Sequence, residues 1–296
     1  MVSAASIVSG SFAFVRNNVP VIAVWAIVYM VGGVLMSLTS RPFAEAQMAM
    51  MEAGQVALPP GYFSYLGLTY LIMIAMFVAL FAAVYRAVLH PDTSRSAYLR
   101  VSMDEARLFG LFLILLLGYF LAMIVVALGV ALIGFLIVFL AALAGAVTAG
   151  AVAFILLIYG LMLAVSIWLM VRLSAAGPLT ILHRHIVIRE AWRLTRGRFW
   201  PLFGGYLLVA LAITAVFLCF FWLTLGSSYF STLLASHADP AAMGAAMRSQ
   251  MERVAIGRPM WFVLLIGGGT LGSLAIALYG SMTAIATRHL LDEAAD

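Results

Sequence analysis

Charge is what this sequence has least of. Asp, Glu, Lys and Arg make up 9% of its 296 residues, against about 25% in a soluble domain. Apolar residues fill 66% of the chain and the mean hydropathy is +1.15. That balance excludes a water-soluble globule and a disordered chain, which needs charge and few apolar groups. Cysteine is nearly missing: Cys219 stands alone, so no intrachain disulfide or cysteine metal cluster can form. Lysine is absent altogether, all sixteen basic residues being Arg, with a formal charge of +5. Such an excess suits nucleic acid or anionic lipid. In a chain this apolar the nearer partner is the lipid headgroup, and no nucleic acid is expected.

Turning to what is present, a helix needs about 20 mostly apolar residues to cross the hydrocarbon core. Charge-free runs of that length occur at residues 19–39, 64–85, 200–225 and 260–287. Between them lies a longer run, Leu108 to Val171, that could hold two long crossings or three short ones. Parity decides between them. Arg86, Arg95, Arg100 and Arg107 precede the run, and Arg172, Arg184, Arg189, Arg193, Arg196 and Arg198 follow it. The positive-inside rule puts both groups on the cytoplasmic face, so the crossings between them are even in number. Two are expected, turning at the small-residue patch Gly145 to Gly150. The first of the pair is then too long for a straight span and should tilt, kink near Gly129 or Gly134, or lie partly in plane. Six spans with both termini cytoplasmic leave Arg41, Arg248, Arg253 and Arg258 outside, a three-to-one bias that the inverted topology would reverse. No cleavable signal peptide is expected, because no A-x-A site follows the first run.

The fold class expected is therefore all-α: one integral membrane domain over 1–296, a polytopic bundle of six transmembrane helices arranged as three hairpins (about 1–90, 91–175 and 176–296) with amphipathic interfacial helices. Val8, Phe12 and Val15 recur at helical spacing opposite Ser3, Ser6 and Ser9, and Asn17, Asn18 and Pro20 mark the break before the first span. Ile188, Ala191, Trp192, Thr195 and Phe199 form one stripe against Arg189, Glu190, Arg193 and Arg196, before Pro201 opens the fifth span. A shorter acidic segment covers Tyr98 to Leu108. Each even-numbered span ends in Arg (Arg86, Arg172, Arg288), where the side chain can snorkel to headgroups and meet the negative end of the helix dipole. On the outer side, Asp239-Pro240 starts a helix carrying Met243, Met247, Met251 and Val254 and ending at Gly257. A second, with Phe43, Met48 and Met51, ends at Gly54 and Pro59-Pro60. Both should lie flat on the leaflet or fold over the bundle.

No Asp, Glu, His or Arg falls inside the span interiors. Intramembrane ionisable groups mark proton relays and ion paths, so their absence argues against a proton-coupled pump, a charged-filter channel and intramembrane hydrolysis. Passage of an apolar or amphiphilic solute remains open. The run Gly267 to Ser273 resembles a phosphate loop but lacks the Lys; close helix packing through Gly268 and Gly272 fits it better. His183 and His185, with Glu190 nearby, offer metal ligands, but Arg184 between them favours a headgroup-binding segment over a metal site. Met48, Met50, Met51, Met243, Met247 and Met251 could hold Cu(I) through their thioethers or act as apolar filler. No catalytic motif is found and no cofactor is expected.

The stretch RLSAAGPLTILHRHIVIREAWRLTRGRFWPLFGGYLL, Arg172 to Leu208, carries Pro178, Glu190, Ala191, Trp192, Leu194, Thr195, Gly197 and Phe199 in a pattern that resembles bacterial inner-membrane proteins of one family. It is similar to the membrane domain associated with some glycerophosphoryl diester phosphodiesterases and to stand-alone relatives of that domain. YRAVLHPDTSRSAYLRVSMDEARL resembles the companion loop. The resemblance implies an inner-membrane protein, with the phosphodiesterase chemistry of fused members residing in a separate soluble domain; the eight residues after Arg288 leave no room for one.

Three function classes follow. The leading one is a non-catalytic inner-membrane scaffold or partner subunit that holds anionic phospholipid, with an unidentified membrane protein as its other candidate partner. The others are a transporter of an amphiphilic or lipid-like solute and a membrane-embedded enzyme. The candidate headgroup residues are Arg184, Arg189, Arg193, Arg196 and Arg198 with Trp192 and Trp200, in a segment that either clamps anionic lipid or serves as a topology signal.

Overall fold

The computed structural model describes residues 3–52, 61–93, 95–100, 102–235 and 248–295. Among them no strand occurs, and besides a short helical stretch at 248–253 the α-helices are α1 (Ala4–Asn17), α2 (Val19–Glu52), α3 (Tyr62–Leu89), α4 (Met103–Leu143), α5 (Val147–Leu173), α6 (Ala176–His183), α7 (Arg189–Leu194), α8 (Phe199–Ala235, interrupted at Gly226 with φ 79°) and α9 (Pro259–Ala295). Six helical stretches are long and apolar enough to cross a bilayer: 19–47, 62–89, 103–143, 147–183, 199–224 and 259–294. The molecule is an all-α, multi-pass membrane protein.

The chain forms two compact units. One holds the described residues of 102–203 and 286–295, the other the described residues of 3–100 and 204–285.

In the second unit, α1 is closed by a capping box in which the Ser3 and Ser6 side chains each accept from the other's backbone N–H. It ends at Asn18, whose amide donates to the Phe14 carbonyl at 2.8 Å. The break before the first span is thus where the Asn and Pro signals place it. The buried face of α1 is Ile7 and Ser11, however, with Phe12 45% exposed, one step round from the Val8, Phe12 and Val15 stripe. Small residues explain the shift. Gly10 lies against the Ile285 side chain, and Ser11 returns its hydroxyl to the Ile7 carbonyl at 2.7 Å, so this face admits close approach while Phe12 is left for lipid.

Helices α2, α3 and α9 pack through Ile22, Trp25, Met76, Leu80, Ala83, Val84, Ile276 and Ala277. Because lipid tails are as apolar as these side chains, tight packing rather than transfer out of water has to hold them together. The small face of α9 provides it. A Cβ at Gly272 would run into the Tyr29 ring, one at Gly269 into Met30 and one at Gly280 into Val84, whereas one at Gly268 would meet nothing within 4 Å. Of the pair Gly268 and Gly272, Gly272 makes the close approach, and the partner one turn before it is Gly269.

The separate outer helix around Phe43, Met48 and Met51 does not form. Helix α2 continues unbroken through Pro42 to Glu52, with Arg41 and Glu45 paired across one turn at 2.7 Å and Phe43 tilted on Tyr62 at 5.0 Å. One lost donor at a proline is tolerated in a membrane helix. Gly54, Pro59 and Pro60 lie outside the described residues, as do Asp239, Pro240, Met243, Met247 and the side chains of Met48 and Met51. Residues 248–253 are helical; that helix stops four residues before Gly257, which takes φ 89° in the turn leading to α9, so Gly257 is not its cap.

The first unit is built on the α4–α5 hairpin, which turns at Gly145 with φ 70°. Two crossings, not three, fill the long charge-free run. The acidic segment Tyr98 to Leu108 is not a helix of its own: its second half is the first turn of α4, closed by a Ser102/Glu105 capping box and an Arg107–Asp104 pair at 3.1 Å. Helix α4 stays helical over all 41 residues, about 60 Å at ~1.5 Å per residue. No kink occurs at Gly129 or Gly134. Gly134 instead seats the Phe154 ring of α5, and Gly150 meets Ala141. Leaving out its polar first turn, a straight α4 would need a tilt of about 55° to stay within ~30 Å of hydrocarbon, outside the usual 0–40° range.

Candidate functional site

The basic segment that follows α5 is held by three polar anchors in one unit. At the first, α6 ends with Arg184 in the left-handed region, φ 58°, and buried Thr180 accepts from the Val187 N–H at 3.4 Å. At the second, Thr195, fully buried, directs its hydroxyl at the Arg172 carbonyl, 2.9 Å, and the Ala191 carbonyl, 3.0 Å. At the third, the Arg172 guanidinium lies over the rings of Trp192 at 5.2 Å and Trp168 at 5.9 Å, which meet edge to face with centroids 5.0 Å apart. Its Nε and Nη1 are buried with no hydrogen-bond partner, so the faces of the two indoles are what stabilise the cation there.

These contacts explain the Ala, Trp and Thr of the Glu-Ala-Trp-x-Leu-Thr pattern. Ala191 is fully buried, which lets the six-residue α7 lie close to the end of α5. Trp192 and Thr195 fasten it to Arg172. The apolar and charged stripes fall where the spacing places them: Ala191 and Thr195 are buried and Ile188, Trp192 and Phe199 half-buried, while Arg189, Glu190, Arg193 and Arg196 are exposed. Gly197, φ 80°, then reverses the chain into α8.

Of the candidate headgroup residues, Arg184, Arg189, Arg193 and Arg196 are exposed and form no salt bridge among the described residues. Arg198 is engaged with Glu293 at 2.9 Å. Trp200 is 75% exposed and packs with Phe199 and Phe203, whereas Trp192 is turned inward onto Arg172. Beside α7 an open depression of about 440 Å³ is lined by Ile186, Val187, Ile188, Arg189, Glu190 and Arg193. The His183 and His185 rings stand edge to face at 5.8 Å, and His183 Nε2 is 3.9 Å from Glu190 Oε1. No group of three or more His, Cys, Asp or Glu among the described residues is placed to hold a metal.

The three Arg residues that end the even-numbered spans have different roles. Arg288 is exposed. Arg86, 1% exposed, donates through Nη1 to the Tyr98 carbonyl at 2.8 Å. Trp25 Nε1 donates to the neighbouring Ala97 carbonyl at 2.9 Å. Ala97 and Tyr98 take φ 52° and 62°, a conformation L-residues with side chains rarely adopt, so each strained residue has its carbonyl captured by a buried side chain. Tyr98 closes the turn by donating its hydroxyl to the Pro91 carbonyl at 3.0 Å. Arg86 and Arg172 therefore serve to dock the loops that follow them, a role the snorkelling expectation did not contain. The signal that could have shown it is Trp168, one helical turn before Arg172.

Compared with family models, curated proteins and solved structures, the chain matches none.

Proposed function

We propose that this is a non-catalytic membrane protein of the bacterial inner membrane, a scaffold or partner subunit, that holds anionic phospholipid through the basic segment 184–198 on the cytoplasmic leaflet. The observation that carries this reading is the pinned α7: four exposed guanidiniums without a counter-ion among the described residues stand on a segment fastened by Thr180, Thr195 and Arg172. A segment serving only as a topology signal needs charge but no such fastening. Aromatic rings at the start of α8, with Trp200 outward, suit the headgroup zone. Each Arg near an anionic surface contributes about 1 kcal/mol, so three of them would raise the preference for anionic lipid roughly a hundredfold. In this proposal both termini are cytoplasmic.

Changing Arg189, Arg193 and Arg196 together to Gln tests it. The variant should insert in the same topology, since the other basic residues remain, and lose most of the cardiolipin and phosphatidylglycerol that copurify with the wild type. Retention of the full lipid complement would reduce the cluster to a topology signal.

A further inference from the structure

We propose that the depression beside α7 binds a phosphoethanolamine-type lipid headgroup, with Arg189 and Arg193 on the phosphate and Glu190 on the ammonium. This rests on the reading of the segment as headgroup-facing and goes beyond its preference for anionic lipid, adding a zwitterionic headgroup at the one place where a carboxylate, Glu190, joins the guanidiniums. The depression is lined by both signs of charge together with Ile186, Val187 and Ile188. Arg189 and Arg193 are one helical turn apart, and Glu190 sits three residues before Arg193, so their Cβ atoms lie about 5–6 Å apart, the scale of one headgroup. All three side chains are exposed. The carboxylate forms no salt bridge with either Arg among the described residues; the His183 imidazole Nε2 lies 3.9 Å from it. A purely anionic headgroup would be attracted by the two guanidiniums and repelled by Glu190. A phosphate with an ammonium two carbons away satisfies all three groups, through charge-assisted hydrogen bonds at both ends. A trimethylammonium has no N–H to give Glu190 and should be held less well. The acyl chains would pass the exposed Ile186 into the bilayer.

The full-length protein in detergent can be titrated, by native mass spectrometry, with phosphatidylethanolamine, phosphatidylglycerol and phosphatidylcholine bearing the same acyl chains. Ethanolamine lipid should bind roughly tenfold tighter than choline lipid, and Glu190→Gln should erase that difference while leaving glycerol lipid within about twofold of wild type. Arg189→Gln combined with Arg193→Gln should weaken both ethanolamine and glycerol lipid. An unchanged ethanolamine-to-choline ratio in Glu190→Gln, with the arginine pair still mattering, would overturn the ammonium site and leave the headgroup reading standing. No effect of the arginine pair would overturn both. Glycerophosphoethanolamine, the same headgroup without chains, should displace the lipid only weakly. Displacement at equal concentration would overturn the lipid assignment in favour of a soluble phosphoester. Because the three side chains are exposed, each variant should melt with the wild type.

Discussion

Arg86→Ala is expected to lower stability by about 3 kcal/mol, the largest effect of any single change outside the packed helix faces. The guanidinium is buried at the end of α3 and holds the Tyr98 carbonyl at 2.8 Å, so its loss leaves a cavity and a carbonyl without its charged donor. The consequence should be local as well as global. Ala97 and Tyr98 keep their left-handed conformations only while the surroundings overdetermine them; without Arg86, the Trp25 indole on Ala97 and the Tyr98 hydroxyl on Pro91 are left to restrain that turn. Thermal melting in detergent and limited proteolysis around Arg95 and Arg100 read the two effects together. Arg86→Lys keeps the charge but not the reach of the planar fork and should fall between. A melting temperature unchanged in Arg86→Ala would mean that the buried contact contributes nothing to stability.

Arg172→Ala should destabilise by about 2 kcal/mol, through two cation–π contacts of ~0.5–2 kcal/mol each. Its more telling effect is on α7. That helix has six residues, far too short to persist by itself, and it is held by Arg172, Trp192 and Thr195. Removing the cation should raise amide exchange over residues 187–196 while the α4–α5 turn at Gly145 keeps its protection. Arg172→Lys should rescue only part, because the ammonium cannot stack as the planar guanidinium does. Uniform loosening of the whole chain, rather than of α7, would argue against a local docking role.

How far the sequence disclosed these features depended on which physical term governed each. The spans and the α4–α5 turn were legible because hydrocarbon excludes charge over long stretches, and parity of the Arg groups then left a single count for the Leu108 to Val171 run. The faces of α7 were legible because Arg189, Glu190, Arg193 and Arg196 alternate cleanly with Ala191 and Thr195. The face of α1 was not. Hydrophobicity pointed to Val8, Phe12 and Val15, while packing among membrane helices rewards small residues, and Gly10 and Ser11 won. The same rule explains why Gly269, lacking any special spacing on paper, joins Gly272 against α2. Pro42 reads as a helix end in water yet is passed over in α2. Helix α6, hidden between the small residues after Arg172 and the left-handed Arg184, left no periodic trace. Arg86 and Arg172 looked like snorkelling anchors because a sequence shows the charge at a helix end but not the carbonyl or the indoles that meet it.

The account turns on where the basic segment sits. With Cys219 replaced by Ser, single cysteines at Thr148, in the α5 start beside the α4–α5 turn, and at Arg196, next to α7, can be challenged with a membrane-impermeant maleimide in intact spheroplasts and again after lysis. Position 148 is expected to label in the intact cells and position 196 only after the membrane is opened, which would put the guanidiniums of Arg189, Arg193 and Arg196 at the cytoplasmic headgroups. Labelling of position 196 from outside, or of both positions from the same side, would contradict the six-span topology and remove the lipid-holding segment from the leaflet it is proposed to read.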